Sequence, residues 1–170
     1  MQKLKETGVV KYIGFSCYSV ELIKKVVEAS TIKIDVILSY AHYCILNNKL
    51  KDIMPLLREK NIGIINASPL CMGLISSSPP PEWHPAPKSY ISLIKDTVVK
   101  IENKFNISIE ELALDFVKSN YVETTLTGIS SIRELNILIY SMNNKLKHKY
   151  EILEEFYKLT WNIQNKELES

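Results

Sequence analysis

Short runs rich in β-branched and aromatic residues alternate four times with apolar residues at helical spacing, and this alternation restricts the fold more than any other feature of the chain. Lys11-Tyr12-Ile13-Gly14-Phe15 reads as a strand. Val20, Ile23, Val26 and Val27 follow at helical spacing behind Ser19, a candidate N-cap. Ile34–Leu38 is a second strand, with a helix from about Leu50 to Lys60 that has Pro55 in its first turn or kinks there. Ile62–Asn66 is a third strand. Between Ser76 and Pro87 lie prolines 79, 80, 81, 85 and 87, which exclude helix and central strand. A helix over Ser89–Phe105 places Ile91, Ile94, Val98 and Ile101 on one face, and Ser108-Ile109-Glu110-Glu111 is a capping box opening the next helix. Thr124–Thr127 is the fourth strand. Ser131-Ile132-Arg133-Glu134 is a second capping box, and a last helix runs from about Lys147 to Thr160 and ends near Trp161. Strand–helix alternation of this kind predicts a parallel sheet with right-handed crossovers. Four units suit an open four-stranded sheet or half of a (β/α)8 barrel, with Ile13, Val36, Ile64 and Leu126 expected on its inward face. A whole barrel needs about 250 residues, and this chain has 170.

Composition narrows the class. Hydrophobic residues make up 46% and charged residues 24%, the balance of a globular protein with a core. The formal charge is +2, with 19 Lys and 2 Arg spread along the chain, so no basic stripe points to nucleic acid. No apolar run approaches a membrane span, and residues 1–8 contain no signal-peptide core. Cys17, Cys44 and Cys71 are far apart and lack metal-ligand spacing. Three buried, reduced thiols are expected, which points to the cytosol.

Ligands of parallel βα proteins sit at the C-terminal ends of the strands. That directs attention to Ser16-Cys17, to Ser39–Tyr43, to Ala67–Gly73 and to Gly128–Ser131. Gly128-Ile129-Ser130-Ser131 feeds a helix N-terminus, where free N–H groups suit an anion; it also reads as a turn with a serine cap.

Taken together these segments resemble a known family. Tyr12–Ser16, Ile65–Leu70 with Met72-Gly73-Leu74, and Thr127–Ser131 resemble the fifth, seventh and eighth strand ends of aldo-keto reductases. Pro80–Ala86, Leu38–Tyr43 and Thr160-Trp161 resemble the L-galactose dehydrogenase-like, or aldose dehydrogenase, subgroup. The likeness runs from about Lys3 to Trp161, so residues 1–170 are expected to be the C-terminal half of one barrel domain. The resemblance implies hydride transfer between a nicotinamide cofactor and a carbonyl or sugar anomeric carbon. It also implies an Asp-Tyr-Lys-His tetrad on the second to fourth strands, outside this chain, so no catalytic residue and no metal ligand is assigned. NAD is the expected cofactor and NADP the second choice. The expected partners are a sugar or aldehyde substrate, and a second copy or an N-terminal half.

Cofactor binding is what the resemblance carries over. It implies that Ser16 and Cys17 meet the nicotinamide carboxamide, with Cys17 a weaker donor than the usual Asn. Tyr40 is either a stacking platform or core. Ser68, Leu70 and Gly73 belong to the loop over the pyrophosphate. Gly128, Ile129, Ser130 and Ser131 belong to the loop at the adenosine phosphate. Two departures stand out: Ala67 replaces an aromatic that stacks on nicotinamide, and Leu138 falls near an Asn that meets adenine. Glu134 falls where NADP-binding relatives place a cation, which favours NAD; Arg133, one turn of rotation away, could reverse that. Trp83 and His84 either line a sugar pocket or pin the proline-rich loop. His42 reads as a structural loop residue and His148 as a solvated helix residue. A non-catalytic half-barrel that binds or dimerises is the competing reading.

Overall fold

A computed structural model describes residues 1–118 and 121–168, with side chains described through residue 160. Its elements are α1 (Gln2–Glu6), β1 (Gly14–Cys17), α2 (Val20–Ala29), β2 (Val36–Tyr40), α3 (Met54–Glu59), β3 (Gly63–Ala67), α4 (Lys88–Phe105), α5 (Ile109–Val117), β4 (Thr124–Leu126), α6 (Ile132–Asn143) and α7 (Lys149–Leu168). The four strands form one parallel sheet in chain order, β1-β2-β3-β4. The chain divides into two compact units: Met1–Pro69 with Ser119–Gly128, and Leu70–Lys118 with Ile129–Ser170.

The first unit holds the sheet. Alternation along β2 and β3 buries Ile37, Ser39, Ile64 and Asn66 on one face, beneath α2 and α3. Val36, Leu38, Tyr40 and Ile65 lie half-buried on the other face, joined by the exposed Ser16 and Leu126. This corrects one expectation. Ile13 and Ile64, expected inward with Val36 and Leu126, are instead buried, 6% and 1% exposed. The register explains it: Val36 pairs with Gly63, and Ile64 pairs with Ile37.

Only glycine fits at position 14. A Cβ there would stand 2.3 Å from the Val36 carbonyl oxygen. Asp35 fastens the strand starts, accepting from the Ile13 N–H at 2.8 Å and from Lys5 Nζ at 2.5 Å. The Lys5 bond leads in holding its carboxyl below the ordinary range. β1 begins three residues later than the apolar run suggests, because Tyr12 is exposed and pairing starts where β2 does. The expected Leu50–Lys60 helix is a 3₁₀ turn over Lys49–Asp52 followed by α3, with Pro55 in the first turn of α3. Cys44 and Cys71 are buried, but Cys17 is half-buried.

The second unit packs α4 against α5 and α7, and α5 against α6. Ile94, Thr97, Val98 and Ile101 form the buried stripe of α4. As its prolines require, Ser76–Pro87 holds no helix or strand. α7 runs past Trp161 to Leu168, beyond the expected end; the Trp161 side chain lies outside the described residues.

Candidate functional site

In the first unit the strand ends are stitched by main-chain bonds. The Ala41 N–H donates to the Ala67 carbonyl at 2.9 Å, and the Ser68 N–H to the Leu126 carbonyl at 3.2 Å. Both residues take left-handed backbone, φ 57° and 63°. Ser16 stands beside Leu38 on the half-open face, and Tyr40 stands between Ala67 and Tyr18, whose ring meets it edge-on at 5.3 Å. Cys17 pairs with Ser39 instead, so strand alternation sends its side chain to the opposite face from Ser16. Gly128 has open space where a Cβ would lie. His42 Nδ1 donates to the Tyr40 carbonyl at 2.7 Å, the structural role expected of it.

In the second unit, Leu70–Gly73 forms a tight turn. Cys71, Met72 and Gly73 have φ of 52°, 57° and 84°, conformations that cost free energy at the two non-glycine positions. The surroundings hold them there. Lys95 Nζ donates to three carbonyls, Gly73 at 3.2 Å, Ser76 at 2.7 Å and Ser78 at 2.5 Å, matching its three N–H bonds. Burial lowers the Lys95 pKa, against the pull of Glu110 and Glu102. Ser76 Oγ adds a bond to the Gly73 carbonyl at 2.8 Å.

His84 has both ring nitrogens on main chain. Nδ1 accepts from the Ala86 N–H at 3.1 Å, which leaves Nε2 to donate to the Cys71 carbonyl at 3.2 Å. Of the two roles open to it, this geometry is that of a pin. Trp83 is 67% exposed.

The α6 N-terminus is capped as its sequence predicts, with Ser131 Oγ accepting from the Glu134 N–H at 3.2 Å. The Glu134 carboxylate reaches one residue further back than a capping box requires. It accepts from the Ser130 N–H at 2.6 Å and from Ser130 Oγ at 3.0 Å. At α5 the Ser108 hydroxyl makes no cap bond, because it donates to Glu110.

Glu110 belongs to a cluster that sequence reasoning missed. Only 3% exposed, it accepts from the Ser77 N–H at 3.0 Å and from Arg133 at 3.2 Å. The second Arg133 nitrogen donates to Ser77 Oγ at 3.0 Å. Burial alone would raise the Glu110 carboxyl, but bonds from Ser108, Ser77 and Arg133 outweigh it and hold the pKa below the ordinary value. The one available signal was a capping-box glutamate inside an apolar helix start; its partners, 33 and 23 residues away, leave no local trace.

Four parallel strands in chain order with helical crossovers are those of a parallel βα protein, and the matched solved structures extend this to the barrel of aldo-keto reductases. An aldo-keto reductase of Bacillus halodurans in its holo form superposes with a TM-score of 0.65 at 24% identity, covering 93% of this chain and 53% of that one. A glycerol dehydrogenase of Gluconobacter oxydans gives 0.62 at 17% identity, with 92% and 51% covered. The chain belongs to the aldo/keto reductase family, which it matches over residues 1–157. It is 33% identical to the L-galactose dehydrogenase of Arabidopsis thaliana, over 95% of this chain and 54% of that protein. It is 27% identical to the D-arabinose 1-dehydrogenase of Saccharomyces cerevisiae, over 92% and 51%. The chain thus spans about half the length of the curated relatives it matches. None of the described helices is long and apolar enough to cross a membrane.

Proposed function

We propose that this chain is the cofactor-binding half of a nicotinamide-dependent sugar dehydrogenase, one piece of a single barrel domain, working in the reducing cytosol that three cysteines outside any disulfide suit. The observation that carries this reading is the α6 N-terminus. The first-turn N–H groups of α6, which a helix leaves without intrahelical partners, supply donors for an anion beside the Ser131 cap, and Glu134, which already accepts from Ser130, supplies an acceptor for a ribose hydroxyl. The residues fit a dinucleotide without a 2′-phosphate, because a carboxylate stands where that phosphate would need a cation.

Bound, the nicotinamide cofactor supplies the hydride acceptor or donor. This chain's residues bind and orient it. Ser16 offers a hydroxyl to the carboxamide and Tyr40, on the same face, flanks the nicotinamide; Cys17, on the opposite face, takes no part in that contact. Ser68, Leu70 and the rigid turn ending at Gly73 cover the pyrophosphate. Gly128, Ile129, Ser130 and Ser131 receive the adenosine phosphate. Trp83 faces a sugar or aldehyde, and His84 holds the loop that carries it. Acid–base chemistry comes from residues outside this chain. The 170 residues alone therefore show no turnover with sugars and either cofactor, since loss of a general acid alone costs about 10² to 10⁴ in rate. Turnover near a normal enzyme's rate, in a preparation free of host reductases, would overturn this.

NAD is the preferred cofactor of the assembled enzyme. Glu134→Arg should move kcat/KM toward NADP. A wild-type kcat/KM tenfold better with NADP would refute the preference.

The half-exposed Val36, Leu38 and Ile65, with the exposed Leu126, favour a second property: the sheet associates with another copy or with an N-terminal half. Without such a partner, the chain would be a binding module and not an enzyme.

A further inference from the structure

Arg133 sits in the first turn of α6, where the helix dipole disfavours a cation. It is one of the chain's two arginines, and it lies two residues after Ser131, the last residue of the Ile129–Ser131 loop. Left free, a guanidinium there would make a forked contact to any phosphate added near that loop. It is not free. One nitrogen is bonded to Glu110 at 3.2 Å and another to Ser77 at 3.0 Å. The seat is rigid. Ser77 is held by its own N–H on Glu110, and Lys95 grips the carbonyls on either side of it, Ser76 and Ser78. Glu110 is buried with Ser108 and Ser77 also donating to it, so its charge is committed to this place. A second carboxylate, Glu134, already holds the Ser130 N–H.

We propose that Glu110 determines cofactor choice from a distance: by seating Arg133 on Ser77, it withholds the guanidinium from a phosphate on the ribose 2′ position. Glu110 is a positioning residue, and Arg133 is a latent phosphate ligand that the fold keeps occupied. The proposal rests on the reading of the α6 N-terminus as the adenosine-phosphate site.

The test uses two small probes that differ only in the 2′-phosphate, adenosine 5′-monophosphate and adenosine 2′,5′-bisphosphate. Each is titrated calorimetrically into the wild-type chain, Glu110→Gln, Ser77→Ala and Glu110→Gln/Arg133→Gln. Glu110→Gln keeps the shape and removes the charge. Ser77→Ala removes the other acceptor and leaves Glu110 intact, so it serves if Glu110→Gln fails to fold by circular dichroism. The wild-type chain should prefer the monophosphate. Glu110→Gln should shift the affinity ratio toward the bisphosphate by about tenfold, the worth of one charge-assisted hydrogen bond to the 2′-phosphate. Ser77→Ala should shift it the same way by less, and the double variant should return it to the wild-type value. An unchanged ratio in the folded single variants overturns the proposal while the cofactor reading stands. So does a shift that survives loss of Arg133, which would be mere relief of repulsion. Failure of the wild-type chain to bind either probe overturns the cofactor reading and the proposal together.

Discussion

Gly14 shows how one missing side chain sets a strand spacing. A Cβ would sit 2.3 Å from the Val36 carbonyl oxygen and 2.5 Å from Val36 Cγ1. Two effects compete in Gly14→Ala. Restricting the unfolded chain stabilises by about 0.4–1 kcal/mol. Overpacking costs about 1–3 kcal/mol, and the upper end applies because the first obstacle is main chain. The clash wins, so the urea midpoint should fall; an unchanged midpoint would show that β1 can move away. Ser39 gives the opposite case. Its hydroxyl is buried in β2 beside Asn66 with no partner among the described residues. Ser39→Ala should be neutral or stabilise by up to about 1 kcal/mol, because it removes a desolvated polar group. A loss above about 1 kcal/mol would reveal a partner for that hydroxyl. At this scale the sequence reveals residues whose bonds are local. Ser19 and Ser131 cap the helices that their spacing suggested. Lys95 and Glu110 stayed hidden, since nothing near them in the chain names the carbonyls and hydroxyls that they meet.

α5 begins with two carboxylates that titrate in opposite directions. Burial raises the Glu111 pKa, whereas bonds to Glu110 outweigh its burial and lower it. A carboxylate whose folded pKa is depressed contributes stability above its unfolded value, here the ordinary 4.5, and loses it as pH falls through the folded value. Wild-type protein should therefore be more stable than Glu110→Gln at neutral pH, and the gap should narrow as pH drops below 4.5. Glu111 is present in both proteins, but the Glu110 charge adds to the burial that raises it, so Glu110→Gln also relieves Glu111 and offsets part of the gap at neutral pH. Equal stability of the two at neutral pH would mean that Glu110 gains no more from its partners than this relief returns. Elements were legible in kind and less so in extent. The prolines of Ser76–Pro87 and the stripe of α4 left little choice. Pro55 favoured a fresh helix start over a kink, which split one expected helix into a turn and α3. The capping box at Ser108 lost its hydroxyl bond to the buried Glu110, a competitor created only by tertiary structure.

Among the described residues, β1 and β4 each pair on one side. Free strand edges and a half-open apolar face both invite association. Light scattering on dilute protein should find a dimer or larger species; a stable monomer that binds no hydrophobic dye would contradict this. Leu126→Lys, on that face and 48% exposed, should weaken self-association with little change in fold. The parallel order of the sheet was readable from the βα alternation. The faces were harder, because a one-residue error in register exchanges them, as it did for Ile64.

The stitching of the strand ends bears on how such a sequence can drift. Ala41 and Ser68 contribute N–H groups and a left-handed backbone; the two stitches ask nothing of their side chains. Over generations position 41 can therefore wander among residues that tolerate positive φ, with glycine and asparagine the easiest arrivals, whereas position 68 also answers to its place over the pyrophosphate. Proline is barred from both, since it lacks the N–H and cannot take that φ. The frame that presents the ligand-facing residues is written in peptide groups, so chemistry can change at the strand ends while the scaffold beneath them persists.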